Sequence, residues 1–244
     1  MESNFRGRTQ TLRRDGCRLS IRALRVRVAY LQRTEGPRGV LAGALRRVNG
    51  LRRRFFTVER YVLYTFDTDV GALPQRLPPI EGLEVVVLES EADVDALATR
   101  GFEVLDFHPS CRREWLRRGG VAFCAYVNLE LAHIAWVAMR ADARGCCDSL
   151  PYHVDFERGE ANWGGSYTWP RFRGRGIYAY VCGIRLSYLH EKGYSRARDA
   201  VAVRNLASMR GQSWWNPTPC MRGRLVRFLG RSTWRESPLE RVGR

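Results

Sequence analysis

At 244 residues and 45% hydrophobic content, the chain can bury one large core or two small ones. It contains no apolar run long enough to span a bilayer, and its opening, MESNFRGRTQTLRRDG, lacks the apolar core of a secretory signal, so a cytoplasmic protein is expected. The net charge of +16 suggests a polyanionic partner, but 40 of the 41 basic residues are arginine, a bias that tracks genome base composition more than function.

That charge is also unevenly placed: residues 1–55 carry +12 and the rest of the chain +4. The expected organisation is a basic N-terminal arm over 1–55 and a folded domain over 56–244. The arm reads as weakly structured, with contact to an anionic membrane or nucleic acid as its functional reading. Seven scattered cysteines include no C-x-x-C pair, which argues against a zinc or disulfide scaffold. The adjacent Cys146 and Cys147 read as a loop position, since neighbouring cysteines bridge only with strain.

Residues 58–69 (VERYVLYTFDTD) and 83–90 (LEVVVLES) read as strands joined by a proline-punctuated connection. Ser90 caps an acidic first helical turn, and Gly101 ends that helix. A second helix follows Ser110. VAFCAYVNLELAHIAWVAM, residues 121–139, reads as a hairpin turning at Asn128. After a long loop, 160–169 is a strand, 176–193 a helix stopped by Gly193, 196–203 a strand and 205–215 a capped helix. Residues 223–237 supply the last strands. The whole is a mixed α/β (α+β) sheet rather than a doubly wound one.

The segment TWPRFRGRGIYAYV, residues 168–181, joins strand to helix through a basic, glycine-rich turn. A helix start preceded by glycines lets several N–H groups converge on an anion, aided by the helix dipole. Gly174 and Gly176 clear the approach, while Arg173 and Arg175 add charge. A P-loop would need G-x-x-x-x-G-K-[ST], and a dinucleotide fold would need its turn after the first strand; neither pattern is present.

A late phosphate turn after a hairpin and one further strand, followed by helix, strand and NLAS, resembles the GNAT superfamily of acyl-CoA-dependent N-acyltransferases. The resemblance covers roughly residues 83–235. It is carried by Pro170, Phe172, Arg173, Gly174, Arg175, Gly176 and Ile177, with Tyr178 standing where the family usually has a small residue. It implies a mostly antiparallel central sheet flanked by helices, with a V-shaped splay between the family's fourth and fifth strands, here 160–169 and 196–203. It further implies acetyl-CoA or another acyl-CoA as co-substrate, held by Tyr167, Thr168 and Trp169, by the turn, and by Asn205 and Ser208, with no metal. The activity implied is N-acyl transfer, acetyl first, to a small-molecule or peptide amine. Alternatives are a longer acyl group delivered by acyl carrier protein, and a non-catalytic module binding through the basic arm.

Attack of an amine on a thioester needs the amine neutral, and Glu160 is the candidate base. The place where many family members carry an acidic tyrosine holds Gln212; Tyr178, Tyr180 or solvent are the substitutes. His133 reads as a strand histidine, His153 as a loop residue, and Trp163, Trp169, Trp214 and Trp215 as core or pocket aromatics.

Overall fold

In the computed structural model the described residues are 10–12, 56–69, 80–104 and 112–239. Most of the expected N-terminal arm, the connection at 70–79 and Ser110 therefore lie outside the described residues. The chain divides into two compact units, the first formed by residues 1–62, 150–152 and 220–244 and the second by 63–149 and 153–219.

Within the first unit lie β1 (Gln10–Leu12), the opening half of β2 (Phe56–Asp67), β8 (Thr218–Phe228) and β9 (Arg231–Pro238). β8 and β9 form an antiparallel hairpin, and β1 adds antiparallel to β9. Alternation along β8 buries Leu225 and leaves Arg222 and Arg224 exposed, as expected for a strand with one covered face. On the covered face Trp234 packs against Tyr61 with ring centroids 5.6 Å apart, and Arg227 reaches Glu59 at 3.1 Å. Gly223 sits under the Trp234 indole, where any Cβ would collide with the ring.

In the second unit, β3 (Leu83–Leu88), β4 (Gly120–Val127) and β5 (Glu130–Ala138) pair antiparallel in succession, and β5 pairs antiparallel with β6 (Glu160–Thr168). β4 and β5 are buried along nearly their whole length, which is why they read as continuous apolar runs. They turn through Asn128 and Leu129, both at positive φ, the backbone that a two-residue hairpin turn demands. β6 then pairs in parallel with β7 (Arg196–Ala202).

Helices complete this unit. Ser90 caps α1 (Glu91–Thr99): its hydroxyl accepts from Asp93 N–H at 3.3 Å, and Asp93 returns the bond to Ser90 N–H at 2.8 Å. α2 spans Arg113–Arg117, α3 Ile177–Glu191 and α4 Leu206–Ser213. The architecture is thus a mixed, mostly antiparallel sheet flanked by helices, as expected. β8 begins at Thr218, earlier than the strand expected from 223, and the 140–159 loop contains two 3-10 turns that the sequence reading did not anticipate.

Candidate active site

Two breaks in regular pairing make the site. The first is a bulge on β6. His133 and Ile134 face Thr168 and Tyr167, whereas Trp136 faces Gly164, so Gly165 and Ser166 together oppose Ala135. Gly165 adopts φ +55°, and a Cβ there would collide with the Cys146 carbonyl. The position therefore requires glycine, and the extra residue bends the strand. The second break is the parting of β6 from β7. Their parallel pairing covers three residue pairs, Glu160–Arg196, Ala161–Ala197 and Asn162–Arg198, and then stops although both strands continue. From Trp163 onward the β7-facing edge of β6 carries no ladder, which is the expected splay between 160–169 and 196–203.

At the far end of β6, Trp169 leads into a 3-10 turn at Pro170–Phe172, then into Gly174 and Gly176 at φ +75° and +80°, with α3 starting at Ile177. Both glycines hold the left-handed conformation, and a Cβ at either would meet nothing within 4 Å. The space in front of the turn is open, and the first-turn N–H groups of α3 have no acceptor within the helix. These residues fit a phosphate group. Phe172 and Ile177 are buried and anchor the turn from below.

The three arginines of the turn have separate environments. Arg171 is ion-paired with Glu130. Arg173 folds back to donate to the Thr168 carbonyl at 3.0 Å and lies 5.6 Å from the Tyr167 ring centroid. Arg175 borders a cavity of about 510 Å³ with Ile80, Glu81, Val127 and Asn128. Tyr167 and Trp169 meet edge to face at 5.1 Å.

Asn205 and Ser208 come together at the start of α4. The Asn205 side chain accepts from Ser208 N–H at 3.2 Å, the N-cap bond, and Ser208 Oγ lies 3.0 Å from the Tyr178 hydroxyl. Tyr178 packs its ring over Gly211 of α4, where a Cβ would collide with it. The residue that departs from the family motif therefore closes the approach between α3 and α4. Burial pushes the Tyr178 phenol well above its usual range.

Glu160 stands at the paired end of the splay, not in its opening. Its carboxylate accepts from Asp155 N–H at 2.9 Å and lies 3.3 Å from Arg198 Nε. The carboxylate nearer the vertex is Asp199, one residue beyond the last β6–β7 pair. It is buried on the same strand face as Ala197 and Val201, accepts from the Gln212 side chain, and takes Ala200 N–H at 2.8 Å. Burial raises its pKa to about 6, against the smaller lowering effects of Gln212 and Arg185. Sequence reading missed Asp199, yet a signal was present: in RARDAVA the aspartate occupies a position on the apolar face of an alternating strand.

Beneath the vertex lies Arg185 of α3, fully buried. It stacks 4.2 Å from the Trp163 ring centroid and contacts Cys182 Sγ at 3.2 Å and the Trp136 carbonyl at 3.4 Å. His133, also fully buried, shares its Nδ1 with Thr168 Oγ1 at 2.7 Å; burial, then the Arg185 charge, lowers its pKa to about 3. Gln212 Oε1 and His133 Nε2 are buried without a protein hydrogen-bond partner. Cys146 and Cys147 are both free, with sulfurs 3.6 Å apart, and burial pushes the Cys147 thiol up. His153 offers its carbonyl to Arg198 at 2.8 Å. Trp163 and Trp169 are core, Trp214 is exposed, and Trp215 donates to the Ala179 carbonyl at 2.8 Å. Among the described residues no cluster of three or more His, Cys, Asp or Glu is placed to hold a metal, and no helix is long and apolar enough to cross a membrane.

No family model matches the chain, and no curated protein matches it. Solved structures do. A GNAT-family protein from Novosphingobium aromaticivorans is similar at 16% identity and a TM-score of 0.44, over 75% of this chain and 66% of its own length. A GNAT-family acetyltransferase from Colwellia psychrerythraea is similar at 12% identity and 0.40, over 74% and 56%. A conserved protein of unknown function from Staphylococcus epidermidis is similar at 9% identity and 0.43, over 79% and 67%. The chain thus spans about two thirds or less of the first two structures, both of which carry the family name that the turn and its neighbours suggested.

Proposed function

We propose that the chain is a GNAT-type N-acyltransferase that moves an acyl group, acetyl in the simplest case, from acyl-CoA to an amine. The observation that carries this reading is the splay of β6 from β7, with a buried aspartate at its vertex and an open glycine turn at its far end. Acyl-CoA would supply an activated thioester. The protein's own contributions are three. The first-turn N–H groups of α3 and the unpaired edge of β6 hold the cofactor. Asp199, with its raised pKa, takes the proton that the ammonium must lose before attack, so the rate should rise as pH increases through about 6. Gln212 fixes the Asp199 carboxylate and stands where a tyrosine acid was sought, leaving solvent or Tyr178 to protonate the departing thiolate.

Asp199 supports this role better than Glu160, because Glu160 is already held by Asp155 N–H and Arg198. One observation favours the non-catalytic reading instead: the Tyr178 ring lies over Gly211 and its hydroxyl over Ser208, filling the gap between α3 and α4. Titration calorimetry with acetyl-CoA separates the two. Binding that falls at least about tenfold in Gly176→Val supports the enzyme; no binding by pure, folded protein sinks it. Given binding, thiol release across a panel of amines identifies the acceptor. Asp199→Asn should abolish the pH limb near 6, whereas Glu160→Gln should leave it in place.

A further inference from the structure

We propose that the outward face of the β8–β9 hairpin, together with the first half of β2, binds single-stranded nucleic acid. All of it belongs to the first unit. Side chains alternate along these strands, so one face carries Arg60, Arg224, Arg231 and Arg235, all exposed. No aspartate or glutamate of these strands shares that face: Glu59 and Glu236 turn to the other side, toward Arg227 and Trp234. None of the four arginines has a carboxylate partner among the described residues.

Register sharpens the point. Arg224 and Arg235 are directly opposite one another across the hairpin. Like charges in that position repel, and sheets ordinarily avoid the pairing. Between them lies a cavity of about 250 Å³ floored by Val226 and Thr233. An arginine pair flanking a concavity matches a phosphodiester, which accepts bidentate hydrogen bonds and removes the repulsion.

Phe56 and Phe228 stand at one end of the same face, 62% and 56% exposed, with ring centroids 6.4 Å apart. Exposed rings beside a row of arginines on a flat sheet are the combination that holds a single strand: phosphates along the cations, bases on the rings. A bilayer would instead engage a protruding apolar tip. Leu229 at the hairpin turn is exposed as well, so vesicles form the second arm of the test. The surface is independent of the acyl-transfer reading.

The experiment uses the full chain and a fluorescently labelled oligouridylate, with anisotropy read over a salt series. Arg224→Gln with Arg235→Gln should weaken binding about tenfold and reduce the slope of log K against log salt by about 1.4, or about 0.7 per lost phosphate contact. Phe56→Ala with Phe228→Ala should weaken it by a similar factor while leaving the slope unchanged. All four side chains are exposed, and circular dichroism verifies that the variants fold. Wild-type affinity and slope in both variants would overturn the proposal, since the N-terminal arginines would then account for the binding. So would binding to phosphatidylserine vesicles without binding to oligouridylate.

Discussion

Two regions of this protein concentrate charge, and they treat it in opposite ways. On the outer face of β8 and β9 the arginines stand in water, where each costs little and matters only in company. Beneath the β6–β7 splay, Arg185, Asp199 and His133 are almost completely excluded from solvent, and no carboxylate forms an ion pair with Arg185. Burying such groups is expensive, and apolar residues of similar volume would often do at least as well for stability. The exposed set is therefore legible as a surface property, whereas the buried set is retained against a stability cost and marks the place where chemistry is done.

The largest expected effect separates packing from charge at Arg185. Arg185→Ala should cost about 3 kcal/mol in urea unfolding, because it opens a cavity against Trp163. Arg185→Met, which keeps the stem, should leave stability nearly unchanged. It should nevertheless move the acidic limb of the pH–rate profile upward, since the Arg185 charge lowers the Asp199 pKa. An unmoved limb in Arg185→Met would detach Asp199 from the reaction.

Next in size are two opposed pH dependences. His133 is held neutral with a pKa near 3, so the unfolded chain takes up its proton first as pH drops below its ordinary value of 6.5. Stability is then lost on acidification by about 1.4 kcal/mol per pH unit. Asp199 behaves in the reverse sense. Its folded pKa of about 6 exceeds the ordinary 3.8, so the folded state holds the proton between those values and stability is lost as pH rises through that window. The two cancel between about pH 4 and 6. Urea midpoints measured across that range should rise with pH in Asp199→Asn and fall with pH in His133→Gln; parallel curves in both variants would contradict the burial assigned to these groups.

The smallest effect is on the outer face. Single Arg224→Ala or Arg235→Ala substitutions should change stability by no more than about 0.5 kcal/mol, and any gain should come from relief of cross-strand repulsion.

Much of the framework was readable in advance because the signals are local. Ser90 announces its helix through a capping box, Asn128 marks the hairpin, and the alternation of β7 and the glycines of the phosphate turn carry their own geometry. What escaped was set by tertiary register. The β6 bulge depends on Gly165 meeting the Cys146 carbonyl, and RGCCDSLPYHVDF contains nothing that places that carbonyl there. The weight given to Glu160 came from its position on the strand preceding the turn, but Asp155 and Arg198 engage it from elements that sequence order could not bring near. Gln212 was noticed only as the absence of a tyrosine; its meaning depends on Asp199, thirteen residues earlier.

Tyr178 has a mechanical consequence. Its ring lies over Gly211 and its hydroxyl meets Ser208, while Trp215 bonds the Ala179 carbonyl beyond them. α3 and α4 are thereby pinned at two points, so the cleft between them cannot widen by parting the helices. A guest must instead turn a single aromatic side chain aside, and the entry rate becomes the rotation rate of one residue.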